Sequence, residues 1–348
     1  MQVVPAAAGL GRHAHRYLSM ASTLVAPSMS DIRAALARIA PYAAATPLLR
    51  SPALDAVAGG PVLLKAEVLQ HTGSFKLRGA LNRLLQLSPE ERERGVVAYS
   101  SGNHAQAVAY SATLLGMRSV IVMPKDAPAL KIERTRAFGA EVVLYDRYTE
   151  DRVAIGGAIA AERGSTVVPP FEDAHVVAGQ GTLALEALEQ AQALGLTPEA
   201  LLVCCGGGGL TAGCALAAEA VSPSTVVHPC EPAEFDDTAR SLELGHRVAN
   251  EPGKRSICDA IVTDIPGEFT FSINQPRVGK GLRVTDDEVL AAIAFAVREL
   301  KLVVEPGGAA ALAALLSGKL ETRGRTTMVV CTGGNIDPAI LARAIGAA

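Results

Sequence analysis

The sequence predicts an α/β protein with two lobes, each built on a mostly parallel, twisted sheet flanked by helices. From about residue 30 onward, short apolar runs alternate with amphipathic stretches long enough to form helices. This alternation is typical of βαβ units. The apolar runs are β-branched or almost continuously hydrophobic, as expected for strands that are buried on both faces. Right-handed crossovers then place the carboxyl ends of the strands, and any ligand, at one edge of each sheet.

The chain divides into elements and segments as follows. The candidate strands are residues 62–68, 95–99, 119–123, 141–145, 201–205, 225–230 and 326–331, and the candidate helices are residues 75–86, 104–115, 129–138, 152–161, 176–193, 210–220 and 286–300. Residues 1–28 contain basic and small residues but no acid, so we expect a disordered extension, a transit peptide or an upstream misassigned start. Residues 91–169 form an inserted small domain, and residues 29–90 with 170–348 form a large domain.

Composition excludes several classes of protein. The formal charge is −3 and no long basic run occurs, which argues against nucleic-acid binding. No uninterrupted apolar stretch reaches the roughly 18 residues of a membrane span. The six cysteines form no C-x-x-C pair, so we expect free buried thiols in a reducing, cytoplasmic compartment and no cysteine-rich zinc site. The hydrophobic fraction of 49% is sufficient for a large core.

Lys76 lies in a segment, residues 71–80, that leads from a strand into a helix. The positive end of a helix dipole disfavours an ammonium group, so this is a poor place for a merely structural lysine. A lysine with a lowered pKa can act there as a nucleophile or base. An exposed lysine at the start of an ordinary helix is the alternative interpretation.

Residues 100–104 place hydroxyls and an amide directly after a strand and before a helix. Backbone N–H groups at a helix N-terminus, with Ser100 and Ser101 beside them, suit a carboxylate or a phosphate. The alternative is an ordinary helix cap, with Ser101 or Asn103 at the N-cap position.

Four consecutive glycines, Gly206 to Gly209, follow the apolar run at residues 201–205. Glycines between a strand and a helix let backbone amides approach an anion closely, which favours phosphate binding. The same segment fits the loose dinucleotide pattern G-x-G-x-x-A, and Glu231 follows where a ribose-binding acid would lie. A nicotinamide-dependent dehydrogenase therefore stays open at this point, although a lone match is weak. Thr332, after the last strand, places a neutral hydroxyl at a strand end, or else belongs to a turn with a helix cap.

Together these segments resemble the fold type II pyridoxal-phosphate (PLP) enzymes, the tryptophan synthase β-like group, and within it the threonine/serine dehydratases and serine racemases. The matching stretches are the lysine segment, residues 100–104, residues 177–182, the glycine loop, residues 231–237, Glu305-Pro306 and residues 332–335. They occur in the family's order and cover nearly everything after about residue 30.

The resemblance implies a role for each site residue. Lys76 would hold PLP as a Schiff base and then act as base at the substrate α-carbon, and Ser101 matches the residue that exchanges a proton on the opposite face in racemases. The large domain would bind PLP through Phe75, Lys76, Asn103, Gly206, Gly207, Gly208, Gly209, Leu210 and Thr332. The residues expected around the substrate carboxylate are Ser100, Gly102, His104 and Arg152. A homodimer is also implied.

The chemistry expected from these residues is β-elimination. PLP serves as the electron sink. The Thr332 hydroxyl cannot hold a proton on the pyridine nitrogen as a carboxylate would, which favours loss of a β-leaving group over transamination. L-threonine, L-serine or a related β-hydroxy amino acid would yield a 2-oxo acid and ammonia. The alternatives are a serine or aspartate racemase, a dehydratase of a hydroxyectoine-derived amino acid, and a non-catalytic PLP-binding protein.

A second site is expected at Glu231, Phe235 and Asp237. Two carboxylates six residues apart, with a backbone carbonyl between them, suit Mg²⁺ or Ca²⁺. These positions match the metal ligands of the serine racemase group, and the alternative is an acidic turn in which Asp236 caps the next helix.

Three departures from the family pattern concern the active site. Thr332 replaces the usual serine, Asp259-Ala260 stands where many relatives have Asp-Gly, and Phe171 stands where racemases carry a polar residue. The last two bear on the substrate side chain. No appended regulatory domain follows the final helix, so we expect no feedback control by isoleucine.

Overall fold

Two sheets organise the chain in the computed structural model, which describes residues 25–346. The strands are β1 (Leu48–Leu49), β2 (Val62–Ala66), β3 (Val96–Tyr99), β4 (Ser119–Pro124), β5 (Glu141–Tyr145), β6 (Thr166–Val167), β7 (Ala200–Cys204), β8 (Val226–Pro232), β9 (Leu282–Val284) and β10 (Thr327–Cys331). The large sheet has the order β1-β2-β10-β7-β8-β9 and the small sheet the order β5-β4-β3-β6. Every neighbouring pair is parallel except β1 with β2, which confirms the predicted α/β class.

Helices pack on both sheets. They are α1 (Met29–Ile39), α2 (Pro52–Ala58), α3 (Lys76–Leu84), α4 (Pro89–Arg94), α5 (Asn103–Leu114), α6 (Ala129–Ala137), α7 (Arg152–Arg163), α8 (Ala174–Ala193), α9 (Gly209–Val221), α10 (Asp237–Leu244), α11 (Glu268–Asn274), α12 (Asp286–Phe295), α13 (Pro306–Leu316) and α14 (Pro338–Gly346). The predicted helix at residues 286–300 is α12 followed by a π-helical turn, Ala296–Leu300.

The central strands of the large sheet separate two hydrophobic cores. Leu202 on β7 belongs to the core shared with α12 and α13, whereas its neighbours Leu201 and Val203 belong to the core shared with α8 and α9. Successive side chains of a strand point to opposite faces, so a strand between two helical layers must be apolar at every position. This explains the continuous apolar runs on which the strand predictions rested.

The small sheet is contained within one stretch of sequence. Its four strands all lie between residues 96 and 167, and the chain enters and leaves the large sheet on either side. We therefore propose the division into a small domain at residues 91–169 and a large domain at residues 29–90 and 170–348. The prediction about residues 1–28 falls almost entirely outside the described residues, although Ser28 caps α1 by accepting from the Asp31 amide.

A buried ionic network anchors α3, the helix that begins at Lys76. Arg78 is 1% exposed and donates to Glu67 on one side and to Glu186 on the other, at 2.8 and 2.9 Å. Lys65 on β2 donates to the same Glu186 carboxylate at 2.5 Å. Two cations thus balance two anions in the interior, and the helix is tied to β2 and α8.

Replacing Arg78 with methionine should lower the free energy of unfolding by about 3–5 kcal/mol, because Glu67 and Glu186 would lose their shared buried partner. Urea unfolding followed by circular dichroism measures this loss. Arg163→Met is the matched control, since Arg163 pairs with Glu141 at the surface, where an ion pair contributes little, and its loss should leave the free energy of unfolding nearly unchanged. Equal losses in the two variants would show that the buried network does not stabilise this fold.

Candidate active site

The predicted segments meet in one cleft at the carboxyl ends of the strands. Ser100 follows β3, Gly206 follows β7 and Thr332 follows β10, while Lys76 begins α3. The cleft measures about 1050 Å³, including the part open to solvent. All the residues predicted to bind cofactor or substrate line it: Phe75, Lys76, Ser100, Ser101, Gly102, Asn103, His104, Arg152, Gly206, Gly207, Gly208, Gly209, Leu210 and Thr332.

The Lys76 amine lies in the cleft without a carboxylate partner among the described residues. Its Nζ donates to the Pro170 carbonyl at 3.1 Å and lies 5.2 Å from the centre of the Phe75 ring. Burial lowers the pKa of Lys76 to about 8, because an ammonium is poorly solvated there and nothing offsets its charge. A substantial fraction of the amine is therefore neutral and nucleophilic near neutral pH.

The glycine loop has a shape that other residues could not adopt. Gly208 has φ +87°, and a Cβ on Gly207 would lie 2.3 Å from the Phe171 ring. Thr270 donates to the Gly207 carbonyl at 2.6 Å and Asn274 donates to the Gly208 carbonyl, so both carbonyls are engaged from outside the loop.

The amides at the start of α9 are available for an anion. This helix begins at Gly209, and the first amides of any helix have no partner within it. The buried Thr211 hydroxyl at the same end also has no hydrogen-bond partner within the described part of the chain. A phosphate fits this cradle, because it would satisfy both the amides and the hydroxyl.

The loop before α5 presents a second set of amides. The structure corrects the helix-cap interpretation of this loop: Gly102, and neither Ser101 nor Asn103, occupies the N-cap position and no side chain caps the helix. The Ser100 hydroxyl instead accepts from the Gly102 amide at 3.2 Å. The start of α5 is therefore free to bind a carboxylate in the cleft.

His104 is a neutral imidazole beside the lysine. Burial, together with the nearby Lys76 charge, lowers the pKa of His104 to about 3. Its Nε2 donates to the Val168 carbonyl at 2.9 Å, so Nδ1 is an acceptor, and this buried atom has no partner among residues 25–346. His104 thus adds no positive charge to the site.

Thr332 projects from the turn after β10 and is 3% exposed. The helix-cap interpretation of this turn is wrong, because the next helix begins only at Pro338. The Thr332 carbonyl accepts from the Phe75 amide at 3.0 Å, which joins this turn to the lysine segment.

Three charged groups of the cleft were not identified from sequence as site residues. Lys131 on α6 donates to Asp259 at 2.6 Å, which links the helices of the small sheet to the large-sheet side of the cleft. Glu305 is 2% exposed and accepts from the Asn103 amide. Asp259 and Glu305 belong to recognised sequence motifs, but the sequence assigned neither of them a role in the site. Lys131 lies in an amphipathic helix, and nothing near it in the sequence indicates its contact with Asp259.

Arg152 lies at the rim of the cleft and, unlike Lys131, has no carboxylate partner among the described residues. It begins α7 at the rim, and its guanidinium lies 6.0 Å from the centre of the Tyr99 ring. Within the described residues it forms no ion pair. It is therefore available to an anionic group on a ligand.

Glu231, Phe235 and Asp237 lie outside the cleft lining. The Glu231 carboxylate accepts from the amides of Thr238 and Ala239, at 3.0 and 2.8 Å. Asp236 occupies the N-cap position of α10, but its side chain does not cap the helix. Asp236 instead binds Arg240 and Arg283. Because its carboxylate is committed to a helix end, Glu231 does not act as the free ribose-binding acid of a dinucleotide site.

The acidic pair itself is buried without a cation. Asp237 accepts from Asn250 at 2.7 Å, and neither Asp237 nor Glu231 forms an ion pair in the part of the chain that the structure describes. Within those residues, no group of three or more histidine, cysteine, aspartate or glutamate side chains is placed to hold a metal ion, so a cation here would also need the Phe235 carbonyl and water. Burial and mutual repulsion raise the pKa of Glu231, and burial raises the pKa of Asp237. Two oxygen donors lacking a counter-charge suit a hard cation.

The cysteines and the described helices bear on two further predictions from the sequence. All six cysteines are free and buried, as predicted. Among the described helices, none is both long enough and apolar enough to cross a bilayer.

Comparison with known proteins gives consistent matches over most of the chain. Residues 39–333 match the family described as pyridoxal-phosphate dependent enzyme. The L-threo-3-hydroxyaspartate ammonia-lyase of Saccharomyces cerevisiae is 42% identical over 90% of this chain and 95% of its own length. The serine racemase of Schizosaccharomyces pombe is 40% identical, over 91% of this chain and 97% of its own.

A solved structure supports the same relationship. The threonine deaminase from T.th. is 45% identical and superimposes with a TM-score of 0.84, covering 89% of this chain and 99% of its own. The family match spans the glycine loop and Glu231, and this decides against the dehydrogenase alternative. The chain belongs to the pyridoxal-phosphate dependent enzymes of fold type II, and its relatives include ammonia-lyases and serine racemases.

Proposed function

We propose that this chain is an ammonia-lyase that converts a β-hydroxy amino acid into a 2-oxo acid and ammonia. The observation that carries the proposal is the Lys76 amine, buried without a counter-charge in the cleft that also contains the glycine loop. The substrate loses its α-proton and β-hydroxyl as water, and water then releases the nitrogen as ammonia. The overall reaction therefore needs no oxidant.

The residues of the cleft fit PLP. The glycine loop and the Leu210 amide would hold its phosphate, Lys76 would bind its aldehyde carbon, and Asn103 and Thr332 would contact the ring. Bound there, PLP supplies an electron-withdrawing ring that stabilises negative charge at the substrate α-carbon. The Lys76 amine would also serve as the base that removes the α-proton of the substrate.

The start of α5 would orient the substrate. Amides at this helix end, with the Ser100 hydroxyl, bind the α-carboxylate. Because His104 is neutral, it places no second positive charge beside the Lys76 amine. The lysine can therefore take up and return a proton more easily. Thr332 supplies a hydroxyl rather than a carboxylate, and this favours elimination over transamination.

Racemisation is the second candidate, because Ser101 lines the same cleft as Lys76. Phe171 favours the lyase: it packs against the glycine loop at a position where racemases carry a polar residue. Chiral analysis of the unreacted amino acid separates the two activities. Accumulation of the D-enantiomer faster than 2-oxo acid would overturn the lyase proposal.

We also propose a homodimer, which light scattering would test.

The unpaired guanidinium of Arg152 favours a substrate with a second carboxylate, such as L-threo-3-hydroxyaspartate, over L-threonine or L-serine. Two relatives, at 42% and 43% identity, are named for that substrate.

Arg152→Leu should lower kcat/KM for L-threo-3-hydroxyaspartate about 10- to 100-fold while changing that for L-threonine less than about threefold. Release of 2-oxo acid from each substrate measures both constants. Arg147→Leu, which removes an exposed guanidinium paired with Asp126, is the control and should change neither. Lys76→Ala should abolish turnover of both substrates. Equal losses for both substrates in Arg152→Leu would instead place Arg152 at the α-carboxylate.

Capture of PLP by the apoenzyme should depend on pH through Lys76. Only the neutral amine attacks an aldehyde, and burial lowers the pKa of Lys76 to about 8, so the capture rate should rise from about pH 6.5 and level off above about pH 9. Stopped-flow absorbance at a fixed PLP concentration measures the rate. A rate that keeps rising towards pH 10 would mean that the amine is solvated like a surface lysine.

We further propose that Glu231, the Phe235 carbonyl and Asp237 hold Mg²⁺ or Ca²⁺. A cation at about 100 times its Kd should stabilise the fold by about 2.7 kcal/mol, or a few degrees in Tm. Differential scanning fluorimetry after chelation and re-addition of each ion measures this shift. Asp237→Asn should remove the response, and an unchanged Tm in the unsubstituted protein would eliminate this site.

A further inference from the structure

Glu305 is a buried carboxylate of the cleft that the proposed reaction does not use. It occupies the N-cap position of α13, yet its side chain does not cap that helix. Within the described residues it forms no ion pair, and the charged groups facing it are Lys131 and Asp259. Burying a carboxylate that the fold does not neutralise is costly, so its position calls for a role in the site.

The contacts of Glu305 continue into a chain of side-chain amides. Asn103 Nδ2 donates to Glu305 Oε1, and Asn335 Nδ2 donates to Asn103 Oδ1 at 2.8 Å. Asn335 Nδ2 also donates to the Thr72 carbonyl at 2.9 Å, while Arg134 donates to Asn335 Oδ1 at 3.0 Å. The side-chain amides of Asn103 and Asn335 therefore each have a hydrogen-bond partner at the nitrogen and at the oxygen.

These partners leave Asn103 one orientation. If its amide were reversed, its oxygen would face the Glu305 carboxylate and its nitrogen would face the Asn335 nitrogen. Acceptor would then oppose acceptor and donor would oppose donor. Burial raises the pKa of Glu305 to about 7, whereas the hydrogen bond from Asn103 favours the ionised form, in which the carboxylate can only accept.

Gly333 makes the contact possible. A Cβ at this position would lie 2.3 Å from Glu305 Oε1 and 3.1 Å from Asn103 Nδ2. The glycine of the turn after β10 thus leaves room for the carboxylate and the amide to meet. The turn and the carboxylate come from separate sequence motifs, and this contact brings both of them against Asn103.

We propose that Glu305 is a positioning residue that turns the second N–H of Asn103 towards the phenolic oxygen of PLP. The inference rests on the proposed role of Asn103 in that site. Glu305 would act only through Asn103, and Asn335 would hold the same amide from its other end.

Binding of PLP to the apoenzyme tests this without turnover. Glu305→Ala should weaken PLP binding about tenfold and shift the visible absorption band of the bound cofactor, because Asn103 is then free to rotate. Glu305→Gln, whose carbonyl still accepts from Asn103, should stay within about threefold of the unsubstituted protein and keep the band. Asn335→Ala should shift the band as Glu305→Ala does, and it supplies the test if Glu305→Ala does not fold.

A double-mutant cycle distinguishes positioning from a general structural effect. In an Asn103→Ala background, Glu305→Ala should change neither the band nor the affinity further. Glu189→Ala, which removes an exposed glutamate paired with Arg33, is the control and should leave both at their original values. An unchanged band in folded Glu305→Ala, or an equal shift with and without Asn103, would overturn the proposal. Failure to release ammonia would count against the lyase proposal alone, since this test measures only cofactor binding.

Discussion

The site depends on one amine that lies deep in the cleft without a compensating carboxylate among residues 25–346. Lys76 lies in the cleft with a backbone carbonyl as its hydrogen-bond partner, and the neighbouring imidazole is neutral. In a low-dielectric environment an unpaired ammonium is costly, so the proton is released more easily than from a surface lysine. The fold maintains this condition by placing its balanced ionic network behind α3, where Arg78 and Lys65 neutralise two glutamates.

Parallel strands determine what surrounds the amine. Because the strands of each sheet run in one direction, their carboxyl ends bring Ser100, Gly206 and Thr332 to one cleft although they are far apart in sequence. Two helices, α5 and α9, then direct unsatisfied amides into that cleft from opposite sheets. One helix end suits a phosphate and the other a carboxylate, which are the two anionic groups that the cofactor and an amino acid bring.

Much of this arrangement was predictable from sequence, and what was missed has physical causes. The buried strands β2, β4, β7 and β10 are mostly apolar runs, interrupted in β2 only by Lys65, so local composition indicates them. Strands β1, β6 and β9 have only two or three residues and exist through pairing with longer neighbours, which no local pattern reveals. Helix α13 is buried on all sides and rich in alanine, so it lacks the polar face on which a helical period depends.

The site residues also divide into those that a local sequence motif indicates and those that only the fold brings together. Lys76 and the glycine loop carry local chemistry that a sequence motif records. The Lys131–Asp259 pair and the Glu305–Asn103 contact join residues 128 and 202 positions apart, so only the folded chain shows them. The starts of α5 and α10 could not be fully predicted, because Gly102 rather than a polar residue is the N-cap of α5, and because the distant Glu231, rather than the N-cap residue Asp236, accepts from the amides of α10.

We propose above all that the Lys76 amine binds the cofactor covalently. Borohydride reduction of the PLP-loaded protein, followed by proteolysis and mass spectrometry of the peptides, identifies the lysine that carries the cofactor. We expect one pyridoxyl-modified residue, Lys76, with little label on the other cleft lysine, Lys131. Label on Lys131, or a spread of label over surface lysines with Lys76 unmodified, would refute the covalent link.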